Sequence, residues 1–192
     1  MKKILIGTHN KGKLKEIAFL LRKKIVKISP ESFKIKSPKE TGKTFKENSK
    51  LKVIYFSKKS NLPSISDDSG LCIKFFNGKP GIYSARWAKK YGGFKKAMQI
   101  ILKKMKNTNK RSASFVCSLS FKYPNSKVVT VEGKVQGKIS KKIIGKRGFG
   151  YDPIFIPKSK SITFGQMLKS KKIKIDHRYI AFTKLKRKVK IL

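Results

Sequence analysis

Acidic residues are scarce in this 192-residue chain, which has nine Asp and Glu against fifty Lys and Arg and a formal net charge of +41. Such an excess of positive charge favours partners that carry phosphate, because lysine and arginine displace counterions from phosphates. Arginine, the side chain that best reads bases and grips phosphate with two hydrogen bonds, is itself scarce at six residues. The lysines also recur from Lys2 to Lys190 instead of forming one block. We therefore expect nucleic-acid binding that is at most weak and nonspecific.

Cysteines and long apolar runs are scarce as well. Cys72 and Cys117 are too few for a disulfide framework, and both lie in strand-like apolar runs, which predicts buried thiols and a cytoplasmic location. No apolar run approaches the ~20 residues that span a bilayer, and the one near the start is too short for a signal peptide, so no membrane association is expected. Hydrophobic content of 39% argues against disorder, and the length predicts a single domain over residues 1–192.

The alternation of strand-like and helix-like segments predicts an α/β domain with a mixed central sheet, because the longest hairpin lies in mid-chain. The predicted strands cover residues 2–7, 25–28, 62–65, 71–76, 112–123, 127–139 and 154–156. The predicted helices cover residues 11–22, 44–59 and 94–106, and a last one begins near residue 176. The second helix opens with a Thr-x-x-Glu capping box, and its apolar face would be Leu51, Ile54 and Tyr55.

The turn after the first predicted strand has a composition that suits phosphate binding. Thr8-His9-Asn10 ends the strand and opens a helix, whose first backbone N–H groups are unpaired within the helix and attract anions. Lys11 and Lys13 stand beside this turn. An ordinary strand–helix connection with solvated lysines explains the same pattern equally well.

Two of the nine acidic residues, Asp67 and Asp68, stand side by side between two apolar runs. Adjacent carboxylates repel each other unless a cation or a proton offsets their charge. Mg²⁺ commonly takes one or two carboxylates together with substrate phosphates. Because Asp, Ser and Gly are also common turn residues, the pattern predicts a strand-to-strand turn here that is either solvated or part of a metal site.

Four stretches carry the most specific signal. They are THNKGK (8–13), SDDSGL (66–71) continuing to GKPGIYSAR (78–86), GFGYDPIF (148–155) and DHR (176–178). In this order and spacing they resemble the inosine/xanthosine triphosphate pyrophosphatase family over nearly the whole chain. The resemblance implies two lobes with the active-site cleft between them, a mixed sheet flanked by helices, and a homodimer. It also implies Mg²⁺-dependent hydrolysis of ITP, dITP and XTP to the monophosphate and pyrophosphate, which cleanses the nucleotide pool.

The resemblance also assigns roles to individual residues. Asp68 matches the proton acceptor and a Mg²⁺ ligand; the second ligand would be Glu40, with Glu47 as the alternative. Phe149 would stack on the base. The positions that would bind substrate are Thr8, His9, Asn10, Lys11, Gly12, Lys13, Ser69, Phe149, Gly150, Tyr151, Asp152, Lys172, His177 and Arg178, with Lys52 and Arg86 as further phosphate-binding cations. The chain departs from the family pattern at His9, where a small residue is usual, at Asp176, where Ser is typical, and at Ser170-Lys171, which replaces acidic residues.

The implied reaction is the attack of water on the α–β phosphoanhydride. Asp68, or Asp67 beside it, would orient or deprotonate the water, and the two carboxylates would titrate as a pair. Lys13, Lys52 and the amides after Thr8 would hold the leaving pyrophosphate.

Base selectivity would depend on the 6-position of the purine. Arg178 or a protonated His177 would donate to the carbonyl of inosine or xanthosine and leave the amino group of adenosine unsatisfied. A related house-cleaning pyrophosphatase with a different base specificity is one alternative function, which GFGYDPIF and the His-Arg pair disfavour. A basic nucleic-acid-binding protein without catalysis is the other, and it leaves the acidic pair unexplained.

Overall fold

The computed structural model describes residues 2–192 and has the predicted mixed sheet. Within that range the strands are β1 (Lys3–Ile6), β2 (Val26–Ile28), β3 (Ser64–Ile73), β4 (Ser112–Lys122), β5 (Val129–Ile139) and β6 (Phe155–Pro157). They form one sheet in the order β2-β1-β3-β4-β5-β6. Strand β1 runs parallel to β2 and β3, with Leu5 opposite Ile28 and Ser64, whereas β5 and β6 are antiparallel. The α/β prediction is confirmed.

The helices of the described range are α1 (Lys11–Leu20), α2 (Phe45–Ser60), α3 (Ser84–Lys90), α4 (Phe94–Lys104), α5 (Lys169–Lys172) and α6 (His177–Lys186). The contacts within the chain as a whole divide it into two compact units. The first comprises the chain through Asp68, Cys117–Gly133 and His177–Leu192, and the second comprises Ser69–Val116 and Lys134–Asp176. None of these helices is both long enough and apolar enough to cross a bilayer.

The core of the first unit joins the early strands to the first and last helices. Ile4 and Ile6 of β1 pack with Ile17 of α1 and Leu185 of α6, all at 0–1% exposure. Helix α1 begins where the Asn10 side chain accepts a hydrogen bond from the Lys13 amide, as an N-cap does. Packing of α1 and α6 into one cluster fixes the first turns of both helices, where several predicted site residues lie.

Helix α2 begins as predicted but buries a different face. Thr44 caps it by accepting from the Glu47 amide at 3.1 Å. The predicted apolar face is wrong, because Ile54 is 45% exposed while Val53 and Phe56 are fully buried. The rest of the buried face consists of Asn48, Ser49, Lys52, Ser57 and Ser60. A search for apolar spacing misses such a face, because small hydroxyl side chains occupy positions where the helical pattern expects leucine or isoleucine.

Hydroxyl groups link helix α2 to strand β4. The Ser49 hydroxyl forms hydrogen bonds of 2.9 Å with both Ser118 and Ser120. The Ser120 hydroxyl forms a further hydrogen bond of 2.8 Å with the hydroxyl of Thr130 on β5. These hydroxyl pairs satisfy polar groups that would otherwise be costly to bury.

The second unit has its own core, built on helix α4 and an aromatic cluster. Ile101 of α4 is fully buried, and the ring of Phe155 lies 4.7 Å from that of Phe115 and 5.3 Å from that of Phe164.

The buried thiol predicted for Cys117, in the first unit, is confirmed. Cys72, in the second unit, is only partly buried, so its predicted burial is wrong. Its side chain lies on the face of β3 opposite to Leu71 and Ile73, which pack in the core.

Arg111 ties the end of helix α4 to the end of strand β5. Its guanidinium donates hydrogen bonds to the carbonyl oxygens of Met105 at 2.8 Å, Ile139 at 2.7 Å and Ser140 at 2.6 Å. We expect Arg111→Met to lower the free energy of unfolding by about 2–3 kcal/mol in urea denaturation, because three carbonyls lose a charged donor. The exposed Arg187, replaced in the same way, should change it by less than about 0.5 kcal/mol. Equal losses in the two variants would contradict this role.

Candidate active site

The acidic pair lies within a strand and not at a turn. Strand β3 runs without interruption from Ser64 to Ile73, so the predicted turn is wrong. Side chains alternate along a strand, which directs Asp67 and Asp68 to opposite faces of the sheet. Both are buried, at 0% and 4% exposure. A turn would have let water solvate the two charges; in this structure protein side chains do so.

Asp67 is enclosed by cations. The Lys13 ammonium lies 3.4 Å from its carboxylate, and the Arg178 guanidinium donates to it at 2.9 Å. Arg178 is 1% exposed and also forms an ion pair with Glu16. Burial alone would raise the pKa of Asp67, but the attraction of Lys13 and Arg178 outweighs it and holds that pKa well below its usual value. Asp67 is therefore an ionised partner for the buried Arg178 and the partly buried Lys13.

Asp68 lies in a different electrostatic environment. Its carboxylate accepts a hydrogen bond from the Asn48 amide at 3.0 Å, and the Lys52 ammonium is 3.9 Å away. Burial raises the pKa of Asp68 above its usual value despite the opposing attraction of Lys52. A raised pKa makes this carboxylate a better proton acceptor than its neighbour.

Lys52 lies between Asp68 and Glu40. Its ammonium is 2.6 Å from Glu40 and 3.9 Å from Asp68. Burial of Lys52 disfavours its charged form, but attraction to Asp68, Asp67 and Glu40 prevails and raises its pKa. The Lys52 ammonium thus lies between two carboxylates. Their oxygens form a donor set that fits one Mg²⁺ whose coordination is completed by water and phosphate oxygens. Among residues 2–192, no group of three or more His, Cys, Asp or Glu forms a metal site. Glu47 accepts from the Lys43 amide at 2.7 Å and so serves the start of α2.

The predicted phosphate turn is shaped by its own side chains. The Thr8 hydroxyl accepts from the Asn10 amide at 3.2 Å, and Asn10 caps helix α1. Lys11 and Gly12 form the first turn of that helix. His9, the departure from the family pattern, bonds through Nδ1 to the Ser37 hydroxyl at 2.6 Å. This bond connects the turn to the loop that carries Glu40 further on.

The start of helix α6 lies close to strand β5. His177 and Arg178, at 4% and 1% exposure, form its first turn. A Cβ atom at Gly133 would lie 2.1 Å from the His177 carbonyl oxygen and 2.4 Å from the Ala181 nitrogen. Only glycine therefore allows the helix backbone to approach the strand so closely.

In the second unit, Lys172 lies among acidic and aromatic side chains. Its ammonium is 2.9 Å from Asp152, 3.7 Å from Asp176 and 5.2 Å from the centre of the Phe149 ring. Asp152 also accepts from the Phe149 amide at 2.9 Å, which closes the glycine-rich loop. Three predicted substrate-binding residues, Phe149, Asp152 and Lys172, are thus in direct contact.

The rest of the glycine-rich loop is set by backbone conformation and packing. Gly148 and Gly150 have φ angles of +75° and +67°, a region that favours glycine. Tyr151 is 2% exposed, and its hydroxyl donates to the Ser84 carbonyl at 3.0 Å. Its ring and that of Phe94 pack edge to face, with their centres 5.2 Å apart. The side chain of Tyr151 supports the loop from within the core of the second unit.

Ser69 and Arg86 are the remaining predicted site residues. Ser69 follows Asp68 on β3 and is partly buried. Arg86, on helix α3, is exposed; its guanidinium lies 4.3 Å from the centre of the Tyr83 ring and donates to the Ile82 carbonyl at 3.2 Å. Both contacts are with the segment that leads into α3.

The structure adds residues that sequence reasoning missed. Glu16 forms an ion pair with Arg178. The side-chain oxygen of Asn48 accepts a hydrogen bond from the Gly42 amide, and its side-chain nitrogen donates one to Asp68. Each had a weak signal: Glu16 is one of only nine acidic residues, and Asn48 is a polar residue within a helix.

The family follows from the sequence match. Residues 4–188 match the model of the Ham1 family. The chain belongs to the Ham1 family. Among Ham1 relatives, a dITP/XTP pyrophosphatase of Caulobacter vibrioides is 40% identical to it over 186 residues, or 96% of each chain. The dITP/XTP pyrophosphatase of Bacillus subtilis is also 40% identical, over 96% of each chain.

Solved Ham1 structures share the fold. A HAM1 protein from Coxiella burnetii matches with a TM-score of 0.89 and 33% identity over the full length of both chains. The Staphylococcus aureus Ham1 protein matches with a TM-score of 0.87 and 35% identity over 98% of each chain. The family resemblance and the fold class predicted from the sequence are confirmed.

Proposed function

We propose that this Ham1 chain is a Mg²⁺-dependent nucleoside triphosphate pyrophosphatase. It hydrolyses non-canonical purine nucleoside triphosphates such as dITP, ITP and XTP to the monophosphate and pyrophosphate, with residues 1–192 as one domain. The observation that carries the proposal is the contrast between neighbouring carboxylates: Asp67 contacts two cations, Lys13 and the buried Arg178, whereas Asp68 accepts from Asn48 and its pKa is raised. The substrate class is that of the relatives named dITP/XTP pyrophosphatase. By resemblance, the enzyme works in the cytoplasm as a homodimer.

Each part of the reaction has a candidate group in the first unit. Asp68 and Glu40 would hold Mg²⁺, which when bound supplies positive charge to phosphate oxygens. The amides of the first turn of α1 and the Lys13 ammonium would bind the phosphates. Asn48 fixes one carboxylate oxygen of Asp68, which orients the carboxylate that accepts the proton of the attacking water.

Each unit offers groups suited to the recognition of a purine base. Glu16 and Asp67 hold the Arg178 guanidinium in one orientation, from which it would donate to the 6-carbonyl of the purine. In the second unit, Lys172 would offer a donor and Phe149 a stacking surface. An amino group at the purine 6-position offers these donors no acceptor, which would disfavour adenosine.

Identification of the product and the substrate tests this function directly. Release of pyrophosphate should be measured from dITP, ITP and XTP, with dATP and dCTP as controls, in Mg²⁺ and in excess chelator. We expect pyrophosphate from the first three only, and none in chelator. Orthophosphate as the first product would exclude cleavage between the α- and β-phosphates. Equal rates with dCTP would favour the alternative base specificity.

Gly133 provides a test away from the reacting groups. Gly133→Ala places a methyl group against the backbone of α6, so the first turn of that helix must shift and Arg178 with it. We expect a loss of about 1–3 kcal/mol in the free energy of unfolding, as for other overpacked sites. The kcat/KM for dITP should fall about tenfold or more, consistent with misplacement of a binding group. The neighbouring exposed Glu132, replaced by alanine, should leave both quantities nearly unchanged, and a wild-type kcat/KM in Gly133→Ala would refute the argument.

A further inference from the structure

A basic groove lies in the second unit and shares no residue with the candidate active site. It is a cavity of about 880 Å³. Lysines dominate its charge: Lys74, Lys134, Lys138, Lys158 and Lys160. Among the described residues that line it, none is acidic and none is aromatic. The groove therefore concentrates positive charge at a surface to which the proposed reaction assigns no role.

Strand geometry explains how the groove is built. Lys134, Gln136 and Lys138 alternate along β5 and are exposed, while Val135 between them packs against the core of the second unit. Residues two apart on a strand are roughly 7 Å apart. The row thus presents ammonium, amide and ammonium groups at regular intervals. Ser112 and Ser114 line the same groove from the neighbouring strand β4.

The chemistry of this surface matches a sugar–phosphate chain. Lysines neutralise phosphates, and neutral amides and hydroxyls commonly bond to phosphate and sugar oxygens. Charged phosphates alternate with neutral sugars in such a chain, as charged and neutral groups alternate along β5. Inorganic polyphosphate has no neutral segment for the amide and the hydroxyls. A second copy that docked symmetrically through the same groove would place the five lysines of one copy against those of the other, which is repulsive.

We propose that the groove binds single-stranded nucleic acid through its sugar–phosphate backbone. The described lining of the groove has no aromatic ring on which bases could stack, so binding is independent of base sequence. This interaction goes beyond the hydrolysis of nucleotides and uses different residues. It gives one location to an affinity that the composition alone would spread over the whole surface.

The test compares two variants that remove equal charge. Lys134→Gln with Lys138→Gln alters the groove, and Lys23→Gln with Lys24→Gln, at exposed positions of the first unit, is the matched control. Binding of a fluorescent oligothymidylate is measured against salt concentration. Each single-strand phosphate contact contributes about −0.7 to the logarithmic salt slope, so the groove variant should lose about 1.4 of that slope. The control should lose less than half as much, and equal losses would overturn the proposal.

Cys72 supplies a readout at the groove itself, because it lines the groove and is partly buried. Oligothymidylate should slow the alkylation of Cys72 by a neutral maleimide several-fold in the wild type, and much less in the groove variant. Lack of protection in the wild type, or stronger protection by polyphosphate with the same number of phosphates, would overturn the proposal. Hydrolysis of dITP should be the same in the groove variant as in the wild type. A loss there would assign the two lysines to the substrate and equally overturn it. Binding and alkylation are read without turnover, so they remain informative even if the proposed hydrolysis is absent.

Discussion

Asp68→Asn should lower the kcat for dITP by about 10³-fold, the middle of the range that a positioned general base contributes. The substitution removes the proton acceptor and one of the two carboxylates proposed to hold Mg²⁺. It keeps the shape of the side chain and an oxygen that can accept from Asn48. The free energy of unfolding should therefore stay within about 1 kcal/mol of wild type, a typical effect of one altered hydrogen bond. Steady-state kinetics and urea denaturation of the same preparation measure both quantities.

Two further carboxylates are compared with Asp68, Glu47 as a control and Glu40 as the second proposed Mg²⁺ ligand. Glu47→Gln should retain most of the activity, because Glu47 accepts from the backbone at the start of α2. Glu40→Gln should raise the Mg²⁺ concentration required for half-maximal rate. The assignment fails if Asp68→Asn keeps more than a tenth of the wild-type kcat while the kcat of Glu47→Gln falls below a tenth of the wild-type value.

Asp67→Asn should have the opposite profile, with its main effect on stability. It leaves Lys13 and Arg178 without the negative charge that both of them contact. Removal of one partner from a buried ion pair typically costs about 3–5 kcal/mol, and we expect a loss of this size in urea denaturation. Selectivity for dITP over dATP should also fall, because Arg178 loses one of the two carboxylates that orient it.

A double substitution separates the charge effect from other causes. Lys13→Met in the Asp67→Asn background removes one of the uncompensated cations, so the double variant should be more stable than the sum of the two single losses predicts. Additive losses would mean that Lys13 and Asp67 do not interact. A loss below about 1 kcal/mol in Asp67→Asn alone would exclude a buried ion pair of the usual strength.

Long periodic segments of the sequence predicted the fold well. The alternating runs that form β4 and β5, and the segments with helical spacing that form α1 and α4, all begin and end within two residues of their predicted bounds. Helices α3 and α5 were missed because their seven and four residues are too short for a period to emerge. The acidic pair was misplaced for a different reason. Local preference favours a turn at Ser-Asp-Asp-Ser-Gly, but partners far along the chain, Lys13 and Arg178, make a buried strand stable there.

The site could be predicted only in part. Family motifs named Asp68, Lys13 and Arg178, because these residues lie in stretches with a specific order and spacing. They did not reveal that Arg178 is buried between two carboxylates, since Glu16 lies outside all four of these stretches. Nor could they reveal Gly133, whose importance depends on how closely helix α6 approaches strand β5.

The serine-rich contact of helix α2 has a consequence for motion. Hydrogen bonds such as those of Ser49 each contribute about 1 kcal/mol, whereas a buried leucine contributes about 1.5–3 kcal/mol. A helix attached in this way should open locally at a lower free energy than the whole protein unfolds. We expect the amides in the first turns of α2, ahead of the fully buried Val53 and Phe56, to exchange with deuterium faster than those around the fully buried Ile101 of α4. The first turns of the helix, which bear Asn48 and Lys52, would then be able to loosen and reseal around Asp68 while the rest of the protein stays folded.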